Sequence, residues 1–189
     1  LFYLGFSYQD NSALLTLGEM TAIFDENKLH KQNAVFDIQK LDYFNSQWIR
    51  RLVPSDFLSR IRPFIDYPIT DELLTQVIPL AQPRITRLTE FGPLIRYFVE
   101  RPSLHPELKG KDLFISSALE ILETVNWDKD SIESHLQELC ATKGFHRSDF
   151  FMSLRLAICG QKVTPPLTES MLILGQEEVL ARLNQTLSS

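Results

Sequence analysis

Apolar residues recur at intervals of three and four along almost the whole chain, and no stretch of strand length alternates apolar with polar residues. Ile132, Leu136 and Leu139 are one such row. This spacing puts a row on one face of an α-helix, whereas a half-buried strand needs a period of two. We therefore predict an all-α protein of two helical layers. Pro102, Pro106 and Gly110 interrupt the pattern and place the join near residues 101–112.

Capping residues mark where several of these helices should begin. Thr16 with Glu19, and Asp130 with Glu133, have the spacing of a capping box. Asp37 and Ser55 are further candidate N-caps. The helix after Asp37 should bury the stripe formed by Ile38, Leu41, Phe44 and Trp48.

The segment PLAQPRITRLTEF, residues 79–91, combines Pro79 and Pro83 with Arg84 and Arg87. Ile85, Leu88 and Phe91 follow at helical spacing, which predicts a helix that begins near Arg84. An arginine in a first turn is disfavoured by the helix dipole. Its presence there suggests an anionic partner outside the helix.

Several functional classes lack their usual residues in this chain. No phosphate-binding glycine loop or serine elbow is present, and the four histidines are scattered without a metal-ligand spacing. Surface or structural histidine is the better interpretation for all of them. Cys140 and Cys159 also fit no metal spacing, so we expect buried free thiols in a reducing cytoplasm. No apolar run reaches the length of a membrane span, about 18 residues.

Positive charge is concentrated in two windows, although the formal net charge is −5. Residues 38–62 hold five Lys or Arg against two Asp, and residues 140–168 hold four against one Asp. The net charge argues against bulk electrostatic binding of nucleic acid, but the two basic segments are compatible with local contacts to an anion. Chance scatter over solvated faces is the alternative interpretation.

Five ordered segments resemble the C-terminal half of bacterial glutamyl-tRNA synthetases. They are FYLGFS (2–7), AVFDIQKLDYFNSQWIR (34–50), PLAQPRITRLTEF (79–91), LRLAICGQKVTPPLTES (154–170) and LILGQEEVLARL (172–183). The departures from the family pattern are small: Ser46 stands for Gly, Trp48 for Tyr, and Ile158-Cys159 for Leu-Thr. The family's HIGH-like and KMSKS-like ATP motifs do not occur in this sequence.

The resemblance implies a layout and an activity. Residues 1–53 correspond to the end of a helical stem-contact domain, 54–105 to a first anticodon-binding helical domain and 106–189 to a second. The parent would be an ATP- and Mg-dependent glutamate–tRNA ligase, a class I aminoacyl-tRNA synthetase. This chain, which begins at Leu1 within an apolar run and looks like a fragment, should bind no cofactor and catalyse no reaction by itself.

Arg84 matches the family arginine that is placed at the third anticodon base. The glutamate anticodon ends in cytosine and the glutamine anticodon in guanine. Cytosine offers O2 and N3 as acceptors, guanine offers N–H donors at the same edge, and a guanidinium can only donate. Arg84 would thus attract one base and repel the other. The alternative is a structural Arg84 that caps a helix or pairs with Glu90 or Glu100.

The resemblance places five further residues on the tRNA. Arg155 and Leu167 match positions at the first anticodon base, where a donor to O2 would accept cytosine or uracil and the leucine would pack on the base face. The alternative is an Arg155 that extends to solvent and a Leu167 that belongs to the core. Lys40, Asn45 and Arg50 correspond to a region near the inner corner of the tRNA and should contact its backbone.

The resemblance predicts tRNA-Glu as the partner of a monomeric, cytoplasmic protein without membrane contact. A rival from another class is a helical protein-interaction scaffold that binds no RNA. A third possibility, a relaxed synthetase that also charges tRNA-Gln, is disfavoured because such relatives often carry Gln at the position of Arg84.

Overall fold

The structure is a computed structural model that describes residues 2–6, 14–29 and 35–188. His30, and Ser7 and Ala34 from the quoted segments, lie outside the described residues. The all-α prediction is confirmed, since no strand occurs in the described ranges beyond one isolated bridge between Phe6 and Leu29. The α-helices are α1 Phe2–Gly5, α2 Leu17–Ile23, α3 Ile38–Arg51, α4 Pro54–Ile61, α5 Asp71–Ala81, α6 Phe91–Ile95, α7 Asp112–Leu122, α8 Lys129–Lys143, α9 Arg147–Cys159, α10 Leu167–Leu174 and α11 Gln176–Leu187.

The N-terminal caps are partly those that the sequence indicates. The Thr16–Glu19 capping box and the Asp37 cap are both present. The Ser55 prediction is wrong, because Pro54 occupies the first position of α4 and makes Val53 the N-cap. The second capping box is also wrong: Asp128, not Asp130, accepts the hydrogen bond that starts α8, from the amide of Ser131.

The predicted inner face of α3 is wrong as well. Ile38, Leu41 and Trp48 are 59%, 49% and 39% exposed, whereas Ser46 and Ile49 are buried. The helix is rotated because it packs on the chain that follows α5, which it meets through the side containing Asn45, Ile49 and Arg50.

Residues 79–91 do not form the helix predicted from Arg84. Pro79 lies inside α5, and a 3₁₀ turn, Gln82–Arg84, continues that helix to its end. Extended residues and a second 3₁₀ turn, Leu88–Glu90, then lead into α6. Arg84 therefore lies at the carboxyl end of a helical segment, where the dipole favours positive charge. The helix dipole therefore gives no reason to infer an anionic partner for Arg84.

One contiguous core extends from Ile49 to Leu183 and crosses residues 101–112. Hydrogen bonds across this join connect α10 and its preceding loop to residues 91–98. The Tyr97 hydroxyl lies 2.7 Å from the Ser170 hydroxyl, and Gln161 donates to the Leu94 carbonyl at 2.9 Å. The joining segment is itself packed, because Leu108 is buried and Arg101 pairs with Glu178.

Both cysteines are free and buried, as predicted from their spacing. Burial raises the pKa of the Cys159 thiol to about 12, so the thiol is protonated at neutral pH.

Candidate nucleic-acid interface

An open cleft of about 630 Å³ lies where α8, α9 and α10 meet. Two arginines, an aromatic ring and aliphatic and amide groups share its wall. The lining residues are Glu133, Gln137, Arg147, Ser148, Phe151, Arg155, Leu167 and Thr168. Two of the three residues predicted at the anticodon, Arg155 and Leu167, thus lie in one cleft, although twelve positions separate them in the sequence.

Arg155 is anchored at one nitrogen only. Its Nη1 donates to the Thr164 hydroxyl and, at 3.0 Å, to the Pro165 carbonyl. The Thr164 hydroxyl donates to the same carbonyl at 2.7 Å. No described residue accepts a hydrogen bond from Nε or Nη2 of Arg155. The guanidinium is therefore fixed in orientation and retains donors for a ligand in the cleft.

Leu167 is the first residue of α10 and is 7% exposed. Pro166 is its N-cap residue, and the Pro166 carbonyl accepts from the Ser170 amide and hydroxyl at 3.0 and 2.8 Å. Leu167 belongs to the core and also lines the cleft, so the two interpretations from the sequence are compatible.

Arg147 and Phe151 also line the cleft and were not identified from the sequence. They lie one turn apart on α9, with the Arg147 guanidinium 5.8 Å from the centre of the Phe151 ring. A partly exposed ring with a cation beside it provides a surface on which a nucleobase can stack. The pair Phe150-Phe151 favours core packing from sequence alone, and only Phe150 is fully buried.

Arg84 is exposed and makes no hydrogen bond or ion pair with any described residue. The proposed structural partners are occupied elsewhere. The Glu90 carboxylate accepts from the amide and hydroxyl of Thr86 at 2.8 Å each. The Glu100 carboxylate accepts from Arg96 at 3.1 Å. The interpretation of Arg84 as a salt-bridge partner of either glutamate is therefore wrong.

Glu169 is an acidic residue beside the cleft. It lies on α10 directly after Thr168 and accepts from Lys129 at 2.8 Å. Burial tends to raise the pKa of the Glu169 carboxyl, but the Lys129 hydrogen bond and the charges of Lys129 and Arg84 outweigh burial and lower the pKa. Glu169 is therefore ionised at neutral pH and forms an ion pair with Lys129 near the beginning of α10.

The three residues predicted at the tRNA backbone lie on α3 but make intramolecular contacts. Lys40 lies over the Tyr3 ring, 5.3 Å from its centre. Asn45 donates to the Thr86 carbonyl, and Arg50 Nε donates to the Pro83 carbonyl at 3.2 Å. The structure therefore brings Asn45 and Arg50 to the segment that carries Arg84, away from the cleft lining.

Neither a metal-binding cluster nor a membrane-spanning helix occurs in the part of the chain that the structure describes. No group of three or more His, Cys, Asp and Glu side chains in those ranges is arranged to hold a metal ion. No described helix has both the length and the apolar character that a membrane crossing requires.

Comparison with curated proteins finds glutamate–tRNA ligases. The chain is 33% identical to the glutamate–tRNA ligase of Acidothermus cellulolyticus over 202 aligned residues, which cover 96% of the chain and 40% of the relative. Identity to the glutamate–tRNA ligase of Leifsonia xyli is 34%, over 95% of the chain and 41% of that protein. The chain thus spans about two fifths of the length of these relatives.

Solved structures agree with this match. The glutamate–tRNA ligase of Elizabethkingia anophelis superposes with a TM-score of 0.78 and 25% identity, over 98% of the chain and 39% of the solved one. The enzyme of Elizabethkingia meningosepticum, solved with its amino acid, gives the same TM-score at 24% identity. The family model described as the anticodon binding domain matches residues 56–187. The chain therefore belongs to the anticodon-binding-domain family and is homologous to this region of bacterial glutamate–tRNA ligases.

Proposed function

We propose that the chain recognises the anticodon of tRNA-Glu as part of a glutamate–tRNA ligase. The observation that carries the proposal is that two arginines, whose side chains can only donate, both keep donors available for a ligand. Arg84 is exposed and unpaired among the described residues, and Arg155 lines a cleft with free donors. Splayed anticodon bases are single-stranded targets whose edges and faces both remain available for contacts.

Arg84 is assigned to the third anticodon base. Its guanidinium donates to O2 and N3 of cytosine and meets the N–H groups of guanine with its own N–H groups. Two opposed donors cannot both be satisfied, and an unsatisfied donor is costly once water is excluded. Discrimination between the glutamate and glutamine anticodons follows from this difference.

The cleft is assigned to the first anticodon base. Arg155 donates to O2, which cytosine and uracil share, while Leu167 contacts the base face. Phe151 and Arg147 extend the surface available to the base or its neighbour. The cleft volume of about 630 Å³ exceeds the need of a single pyrimidine, so the cleft accommodates the adjoining sugar or base as well.

The remaining parts of the proposal concern the whole ligase. Lys40 and the Nη groups of Arg50 contact the tRNA backbone, while Asn45 acts through the Arg84 segment. The layout of residues 1–53, 54–105 and 106–189 follows the family. ATP and Mg serve glutamate activation in a part of the ligase outside this sequence, and a monomer is sufficient for the anticodon contacts.

Binding of a tRNA-Glu anticodon stem-loop by this chain should weaken log-linearly with salt. Each phosphate neutralised by Lys or Arg releases counterions, so the slope is expected to be about −0.7 per phosphate contact for single-stranded RNA. Filter binding across a salt series measures it. A hairpin of equal length with an unrelated loop is the control for non-specific attraction. Absence of binding at low salt would favour the protein-interaction scaffold.

Arg155→Ala should weaken binding of stem-loops with cytosine or uracil at the first anticodon position to the same extent. The reason is that both bases present O2 to the same donor. Loss of one hydrogen bond from a charged group predicts an effect of about 1.5–3 kcal/mol. Titration of both RNAs with both proteins measures it. A loss restricted to one pyrimidine would show that O2 is not the atom contacted.

A further inference from the structure

The segment that carries Arg84 is held against α3 from both sides. On the N-terminal side, the buried Gln82 side chain donates from Nε2 to the Ile49 and Leu52 carbonyls at 2.7 and 3.0 Å. These carbonyls lie at the carboxyl end of α3, where helix carbonyls lack the usual partner four residues on, and the Ile49 carbonyl also accepts from the Leu52 amide at 3.1 Å. Gln82 thus caps α3 and fixes the start of the segment at the same time.

Backbone carbonyls on both sides of Arg84 accept hydrogen bonds from α3. Arg50 Nε donates to Pro83, the residue before Arg84, at 3.2 Å. Asn45 donates to Thr86, two residues after it. Between them, Ile85 is 1% exposed and belongs to the core. The backbone at Arg84 is therefore restrained in both directions along the chain.

An ion pair closes the C-terminal side. Arg87 Nε and Nη2 donate to the two carboxylate oxygens of Asp42 at 3.0 and 2.8 Å. Such two-point pairing fixes direction as well as distance. Within residues 82–87, Arg84 is the one polar side chain that makes no hydrogen bond or ion pair with any described residue. Every neighbouring polar side chain is engaged, and this one is left available.

We infer that these contacts, made by Asn45, Arg50, Gln82 and the Asp42–Arg87 pair and here called the clamp, position Arg84 and thereby set its discrimination at the third anticodon base. The inference rests on the proposed function of Arg84. A guanidinium on a mobile segment would find a phosphate or another acceptor near either base. A guanidinium held in position at the base edge faces acceptors in cytosine and donors in guanine. Rigid support therefore makes binding selective for cytosine.

The clamp explains why α3 turns a partly polar side towards the protein instead of the predicted apolar stripe. Asp42, Asn45 and Ile49 follow one another at three- and four-residue spacing, so one side of the helix meets the Arg84 segment. The clamp residues act through Arg84 and are positioning residues. Their effect on binding should appear in the preference for one base over another, more than in affinity for RNA as such.

Asp42→Ala in the 189-residue chain tests this. The matched control is Asp66→Ala, which breaks another exposed Arg–Asp pair, that with Arg96, and changes the net charge equally. The measured quantity is the ratio of Kd values for stem-loops with guanine and cytosine at the third anticodon position. Asp42→Ala should lower this ratio about fivefold, as expected for loss of a contact of about 1 kcal/mol. Asp66→Ala should leave it unchanged.

Two further measurements separate positioning from a general loss of structure. The preference for a pyrimidine over a purine at the first anticodon position depends on the cleft and should be the same in Asp42→Ala and the wild type. Exchange of the two charges, Asp42→Arg with Arg87→Asp, should restore at least half of the lost third-base ratio on a logarithmic scale.

The outcomes distinguish this inference from the proposed function. A wild-type chain that binds the stem-loop without third-base preference would overturn the role of Arg84 and the clamp with it. A wild type that discriminates, together with an unchanged ratio in Asp42→Ala, would overturn the positioning role alone. An equal fall in both single variants, or no recovery in the exchange variant, would likewise overturn it.

Discussion

Arg84→Gln should lower the preference of the chain for cytosine over guanine at the third anticodon position by about thirtyfold or more. Gln carries a donor and an acceptor and can turn to match either base, whereas Arg can only donate. Cognate binding loses a charge-assisted contact worth on the order of 1–3 kcal/mol. Binding of the guanine RNA improves, because the opposed donors are removed. Discrimination is therefore lost more than affinity.

The measurement is the ratio of Kd values for the two anticodon stem-loops, and in a full-length ligase the ratio of charging efficiencies for tRNA-Glu and tRNA-Gln. Arg60→Gln is the control, since Arg60 is also exposed and its loss removes the same charge. That variant should change both affinities equally. A constant ratio in Arg84→Gln, with both affinities reduced, would identify Arg84 as a structural or phosphate-binding residue.

Gly160→Ala should destabilise the chain by about 2–5 kcal/mol, more than any surface change proposed above. Gly160 ends α9 with a φ of 72°, a left-handed conformation that costs a residue with a side chain about 1–2 kcal/mol. A Cβ at this position would overlap Cβ of Pro102, at a separation of 2.3 Å, in the segment 101–112. Relief of that overlap requires a backbone shift, which costs about 1–3 kcal/mol more.

Gly144→Ala provides the matched control for Gly160→Ala. Gly144 ends α8 with a φ of 67°, but a Cβ added there would meet no neighbouring group within 4 Å. This variant should therefore cost the conformational part alone. Thermal unfolding followed by circular dichroism compares the two, at about 2–4 °C per kcal/mol for a chain of this size. Equal Tm values for the two variants would show that the approach of Pro102 to α9 contributes nothing.

The incorrect helix prediction at residues 79–91 shows that the conformation of this segment depends on residues distant in the sequence. Ile85, Leu88 and Phe91 have helical spacing, yet only Phe91 lies in an α-helix. Periodicity reports which residues are apolar, and extended chain can bury Ile85 equally well when a helix such as α3 lies beside it. Pro83, which cannot donate a backbone hydrogen bond, also favours the end of a helix here. Contacts with residues 42–52 determine the conformation of this segment, and a local sequence pattern does not reveal such distant partners.

Some residues of the candidate site could be identified from the sequence, and others only from the structure. Ordered motifs identified Arg84, Arg155 and Leu167, because these residues lie in segments that match the family over short spans. Phe151 was assigned to core packing with Phe150, and Arg147 was not singled out, since an arginine near a helix start carries no signal of its own. Their proximity to Arg155 and Leu167 arises from the packing of α9 on α8 and α10.

The sequence by itself determined that the chain is helical and where α2 and α3 begin. These properties depend on spacing, caps and side-chain chemistry, which act over a few residues. The tertiary structure alone decided that α3 turns a polar side to the Arg84 segment, that Arg84 ends a helix, and that three helices form one cleft. The first of these depends on hydrogen bonds between residues 30 to 45 positions apart, and no local periodicity records such partners.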